Sequence, residues 1–167
     1  MRKIVIGVMG PREGNPEETR AAFELGRLIA KEGWLLLSGG GNEGVMDAVN
    51  QGAKQEGGTT IGIIWRENNL DTSEAVDIAI VSGMGSARNN INVLSSDVVI
   101  ACGLGAGTAS EICLAIKAGK PVVLLCQDEI TEKFFTMLKK DLVFPADSPQ
   151  KAIEVAKKLL PSKAHTS

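Results

Sequence analysis

The stretch Asp97-Val98-Val99-Ile100-Ala101-Cys102-Gly103-Leu104-Gly105-Ala106-Gly107-Thr108 passes from an apolar run into alternating glycines. Asp97–Ala101 has strand character, and a helical period starts behind the glycines over Ala109–Ala118. An earlier segment repeats this order. There Trp34–Leu37 reads as a strand, Ser38-Gly39-Gly40-Gly41-Asn42-Glu43-Gly44-Val45-Met46 as the turn, and Glu43–Glu56 as the helix. A strand that reaches its neighbour through a helix pairs with it in parallel. Further strand candidates are Lys3–Met9, Thr60–Ile64, Asp77–Val81, Val122–Cys126 and the short Leu142–Phe144. Several are apolar at both parities, as Val122-Val123-Leu124-Leu125-Cys126 shows, so both of their faces are buried. The expected fold is α/β: a doubly wound parallel sheet of about seven strands with helices on both faces.

The remaining helices follow from their end signals. Asn15 caps the first, Pro16 takes its first position, Glu17 and Glu18 fill its first turn, and Gly33 stops it. Ser148 before Pro149 repeats the device for Pro149–Leu160, and Ala87–Ser95 and Thr131–Lys139 complete the set. With 167 residues, no repeat and no linker, one domain is expected over residues 1–161, followed by a flexible polar tail at 162–167.

Eighteen Lys and Arg against 20 Asp and Glu give a net charge of −2 with no basic block, which argues against a nucleic-acid partner. No apolar run reaches membrane-spanning length, and Met1-Arg2-Lys3 leads into strand residues without a small-residue cleavage site. A cytoplasmic protein with no membrane partner is expected. Cys102, Cys113 and Cys126 are odd in number, spread out and set among apolar residues, the pattern of reduced buried thiols. The lone histidine, His165, excludes His-based triads and HExxH metal sites within the chain, so no metal-ligating set is assigned.

Glycine placement carries the functional signal. Of 19 glycines, Gly10, Gly14, Gly39, Gly40, Gly41, Gly44, Gly83, Gly85, Gly103, Gly105 and Gly107 follow the first, second, fourth and fifth strands. Those turns share the carboxyl edge of the sheet, where doubly wound folds bind ligands. Bare backbone amides at a helix N-terminus suit an anion, and two such loops suit a ligand carrying one or more phosphates. Neither loop is the P-loop of a nucleotide hydrolase, because Val45-Met46 stands where Lys-Ser/Thr is required. The second nearly makes the dinucleotide fingerprint GxGxxG, with Thr108 in place of the last glycine and Asp128 as the candidate ribose-binding acid. Arg88 falls in the first turn of a helix at the same edge, where a guanidinium either clamps phosphate through two N–H groups or sits in solvent. Two roles are open for Glu111: direct ligand contact, or closure of a capping box over Thr108-Ala109-Ser110-Glu111. Gly10-Pro11-Arg12-Glu13-Gly14 is a candidate closing loop.

These residues resemble a superfamily of Rossmann-like proteins long misnamed lysine decarboxylases. The matching stretches are Ser38-Gly39-Gly40-Gly41 with Gly44-Val45-Met46-Asp47, then Arg88, then Gly105-Ala106-Gly107-Thr108-Ala109-Ser110-Glu111. The best-known enzymes of the superfamily are cytokinin-activating nucleoside 5′-monophosphate phosphoribohydrolases, with the signature PGGxGTxxE. Gly105, Gly107, Thr108 and Glu111 match that signature, while Gly103 and Leu104 stand at its Pro and first Gly. Of the Met-His-x-Arg-Lys stretch that precedes it in those enzymes, only Arg88 is kept. Gly83-Met84-Gly85-Ser86-Ala87-Arg88-Asn89-Asn90-Ile91-Asn92 is similar to the molybdenum-cofactor carrier branch, whose members hold a phosphorylated pterin and protect it without transforming it.

The resemblance implies that the molybdenum cofactor (molybdopterin) is the carried ligand, that molybdoenzymes receive it, and that the protein is a homo-oligomer, dimer or tetramer. The expected binding set is Gly10, Ser38, Gly39, Gly40, Gly41, Asn42, Gly44, Arg88, Asn89, Asn92, Gly105, Ala106, Gly107, Thr108 and Glu111. The alternative is hydrolysis of the N-glycosidic bond of a nucleoside 5′-monophosphate. In that case Arg88 orients the phosphate and Glu111 assists the water or the cationic sugar.

Overall fold

The computed structural model describes residues 2–161, so the expected tail at 162–167, with His165, lies outside the described residues. Seven parallel strands form one sheet: β1 (Val5–Met9), β2 (Leu35–Ser38), β3 (Thr60–Ile64), β4 (Ile78–Val81), β5 (Val98–Cys102), β6 (Val122–Leu125) and β7 (Val143–Ala146). Their spatial order is β4-β3-β2-β1-β5-β6-β7. The chain steps outward from β1 to β4, returns beside β1 as β5, and steps outward the other way. The order therefore reverses between β1 and β5, and the connections leaving those two strands part to opposite faces. That parting opens a crevice at the carboxyl edge.

Helices α1 (Pro16–Lys31), α2 (Gly44–Gln55) and α6 (Pro149–Leu159) cover one face, and α3 (Arg88–Ser95), α4 (Ala106–Lys117) and α5 (Glu129–Leu138) the other. Period-two alternation feeds both cores: β5 sends Val98, Ile100 and Cys102 to the first face and Val99 and Ala101 to the second, all fully buried. The entry to α1 follows the expected capping. Asn15 Oδ1 accepts the Glu18 N–H at 2.9 Å, and the Glu18 carboxylate accepts the Asn15 N–H at 2.8 Å. Ser148 caps α6 in the same way.

Several expected boundaries move, each for a visible reason. Asp97 and Asp77 precede β5 and β4 instead of opening them, because their carboxylates accept the backbone N–H groups of Val5 and Thr60 from neighbouring strands. Helix α4 starts at Ala106 with Gly105 as its cap, three residues earlier than expected, so Thr108 lies inside the first turn and its capping box with Glu111 is not formed. Asp128 is the N-cap of α5, accepting the Thr131 N–H at 2.7 Å, instead of a ribose-binding acid. Of the three cysteines, only Cys102 is fully buried. Cys113 is exposed because Ile112 and Ala115 take the inward positions of α4. No helix among the described residues is long and apolar enough to cross a membrane.

Candidate functional site

A cleft of about 480 Å³ opens at the carboxyl edge, above the reversal between β1 and β5. Met9 and Gly10 form its floor, residues 11–13 of the β1–α1 connection one wall, and Arg88, Asn89, the start of α4 and Glu111 the other. Gly39, Met46 and Trp65 close the side toward β2 and β3.

The first turn of α4 is bare. Its first helical bond runs from the Ala109 N–H to the Gly105 carbonyl at 2.8 Å, which leaves the N–H groups of Ala106, Gly107 and Thr108 without an acceptor among the described residues. Thr108 is only 2% exposed, yet its Oγ1 has no partner either. A Cβ built on Gly107 meets no heavy atom within 4 Å. The packing of the fold thus does not demand glycine there; the bare Cα keeps the space in front of the amides open. The helix dipole adds partial positive charge at this point, so the turn presents amide donors and positive potential of the kind that suits an anion.

Beside it stands a buried ion pair. Arg88 Nη1 lies 3.7 Å from Glu111 Oε1, with only 11% and 7% of the two side chains exposed. Asn92 Nδ2 donates to the same carboxylate oxygen at 2.8 Å, Arg88 Nη1 donates to Asn89 Oδ1 at 3.2 Å, and Asn89 Nδ2 donates to Ser110 Oγ at 3.0 Å. Burial pushes the Glu111 carboxyl up to about 7, against the pull of Asn92 and Arg88. Burial also draws the Arg88 guanidinium below its usual value; Glu111 opposes this and Arg12 adds to it. Both charges are therefore under-compensated, and Arg88 Nε has no partner at all. An anionic oxygen arriving in the cleft finds unused donors on Arg88, on Thr108 and on the α4 backbone.

Trp65 was not anticipated from the sequence. Its ring has the guanidinium carbons of Arg12, Arg88 and Arg66 at 4.8, 5.7 and 5.8 Å from its centroid, so one indole gathers three arginines, of which Arg12 and Arg88 line the cleft. The available signal was its position, one residue past β3 at the ligand-bearing edge.

The first glycine loop behaves differently from the second. Its Gly40 N–H bonds to Ser38 Oγ at 3.0 Å, its Asn42 N–H to the Asp71 carbonyl at 3.1 Å, and the Val45 N–H at the start of α2 to the Pro11 carbonyl at 3.2 Å. Ser38 Oγ also accepts from buried Asn50 at 3.0 Å. Ser38, Gly40, Gly41, Asn42 and Gly44 consequently stand outside the cleft lining, and Asn42 points to solvent. Asn92 stands behind Glu111. The cleft does bring together Gly10, Gly39, Arg88, Asn89, Gly105, Ala106, Gly107, Thr108 and Glu111. Gly39 has a clear steric reason: a Cβ there would lie 2.8 Å from Arg88 Nη2 and 2.7 Å from Met46 Sδ.

The family model described as the SLOG cluster4 family matches residues 3–153. The chain belongs to the SLOG cluster4 family. Among solved structures, this SLOG chain is similar to the molybdenum cofactor binding protein of Rippkaea orientalis, at 54% identity and a TM-score of 0.94 over 96% of this chain and 99% of that one. It is likewise similar to the Moco carrier protein of Chlamydomonas reinhardtii, at 51% identity and a TM-score of 0.89 over 95% and 98% of the two chains. A more distant relative is the cytokinin riboside 5′-monophosphate phosphoribohydrolase of Mycobacterium tuberculosis, 34% identical over 115 residues, of whose length this chain spans 60%. That relative places the SLOG chain in the wider superfamily to which its glycine and arginine motifs pointed.

Proposed function

We propose that this protein binds, stores and carries the molybdenum cofactor, a pterin that ends in a phosphate. The likeness to the Rippkaea orientalis protein carries the reading, since 54% identity extends over 99% of that chain. The site's chemistry supports it independently. The amides of Ala106, Gly107 and Thr108 and the Thr108 hydroxyl receive the phosphate, and Arg88 supplies two parallel N–H groups from the side. Glu111 and Asn92 hold Arg88 in place before the ligand arrives, and Asn89 orients it. The pterin extends toward Gly39, Met46 and Trp65 under the 11–13 segment, which shields it from water and oxidants. Ser38, Gly40, Gly41, Asn42 and Gly44 stand outside the cleft and act only by fixing the turn that carries Gly39, while Gly10 lets the floor pack against Val45 and the Cys102 carbonyl.

Cytoplasmic molybdoenzymes are the proposed recipients, and the working form is a homo-oligomer. Ile61 and Ile63 of β3 lie in register with Ile78 and Ile80 of β4 and so point to the face that α3 covers. Ile78 and Ile80 of β4 and Leu94 of α3 are each about half exposed, apolar side chains that a second copy would cover.

Mass spectrometry of the small molecule released from protein purified without oxygen tests the reading. A pterin phosphate is expected; a nucleotide, with repeated release of adenine from adenosine monophosphate that Glu111→Gln abolishes, overturns it in favour of the hydrolase. For the clamp, Arg88→Ala is expected to weaken a phosphorylated pterin by roughly 1.5–3 kcal/mol in calorimetry and to leave its dephosphorylated form nearly unchanged.

A further inference from the structure

Cys126 is the only residue other than glycine with a positive φ, at 55°, among the described residues. A side chain in that region costs energy, and such strain persists only where its surroundings hold it. The consequence is visible in the packing. Along β6, Val122 and Leu124 face the α3–α5 layer while Val123 and Leu125 face the α1–α6 layer, so regular alternation would send residue 126 to the former. The left-handed turn reverses it, and Cys126 packs instead against the cluster that contains Cys102. Because Cys102 is in register with Leu125, Cys126 arrives diagonally across from it, beside the buried Cys102 thiol, which donates to the Glu18 carbonyl at 3.5 Å.

We propose that Cys102 and Cys126 form a reversible disulfide by exchange with low-molecular-weight disulfides, at the carboxyl ends of β5 and β6. Cys126 is partly exposed and Cys102 is buried, which assigns attack to the first and resolution to the second. The contact with Cys102 holds the Cys126 thiol below its usual value, although Glu17 and Glu18 oppose this, whereas contact with Cys126 and burial push Cys102 up. In the first step the Cys126 thiolate attacks one sulfur of the small disulfide, forming a mixed disulfide and expelling one thiolate. Cys102, losing its proton, then attacks the Cys126 sulfur and expels the second. Two protein thiols are oxidised, two electrons pass to the small disulfide, and the two protons end on the two small thiols released. The bridge lies next to Gly103, whose carbonyl accepts from the Gln127 side chain at 2.5 Å, so it would tie together both chain segments that lead into α4 and α5.

Native reduced protein equilibrated with glutathione disulfide, alkylated and mapped by peptide mass spectrometry tests the proposal. Free thiols are expected to fall from three to one, with Cys102 joined to Cys126, and to return on treatment with dithiothreitol. Cys113→Ser should leave the bridge intact, Cys126→Ser should abolish it, and Cys102→Ser should accumulate a glutathione adduct on Cys126. If Cys102→Ser does not fold, Cys102→Ala takes its place, and the wild-type map stands by itself. Cys102 and Cys126 both remaining free, a bridge through Cys113, or a bridge that forms only in denaturant overturns the proposal.

Discussion

Glu111→Gln distinguishes a desolvated carboxyl from a stabilising ion pair. Glu111 is 5% exposed, lies 3.7 Å from Arg88 and accepts from Asn92 at 2.8 Å. Burial moves its midpoint from 4.5 to about 7, so between those values the folded chain keeps a proton that the unfolded chain releases. The group's contribution to stability is accordingly complete below 4.5 and is lost as pH rises through about 7. A displacement of that size is equivalent to about 3 kcal/mol. Glutamine has the shape of the protonated acid and still accepts from Asn92, but it does not ionise. Near about pH 4 the variant should therefore match the wild type, and near about pH 8 it should be the more stable of the two by up to about 3 kcal/mol. Urea unfolding at a series of pH values measures this, and subtracting one protein from the other cancels every shared titration. A difference that stays flat, or that turns in favour of the wild type at high pH, would refute the argument, because the Arg88 pair would then outweigh the desolvation.

Gly107→Ala meets no steric obstacle and gains up to about 1 kcal/mol of helix propensity, so its thermal midpoint should hold or rise while calorimetry shows weaker binding of a pterin phosphate. Gly39→Ala should weaken the same ligand by displacing Arg88, with the loss largely absent when Arg88 is already alanine. Leu94→Arg combined with Ile80→Arg should shift sedimentation toward the monomer, since both are apolar side chains left about half exposed in the single chain. An unchanged oligomer would move the interface elsewhere.

The sequence by itself determined the layered α/β architecture, because its signals are local and periodic. Runs apolar at both parities specify strands buried on both faces, and Asn15-Pro16-Glu17-Glu18 starts a helix from its own cap. It also located the edge at which the cleft opens, since glycine-rich turns gather where the strands end, and it singled out Arg88, Gly107, Thr108 and Glu111, which share that cleft. Tertiary structure decided that amides of the first glycine loop are partly taken up within the fold while the first turn of α4 is left bare at the cleft. Pro11 and Asp71, distant in sequence, supply carbonyls that occupy the first loop, whereas nothing among the described residues occupies the first turn of α4. The contacts of Glu111 were decided the same way: with α4 starting at Ala106 its carboxylate closes no capping box, and it turns inward to Asn92 and Arg88 from α3. Trp65 and the thiol pair of Cys102 and Cys126 belong to this second class as well. Each depends on segments brought together by strand order and by one left-handed residue, and neither local period nor spacing carries that information.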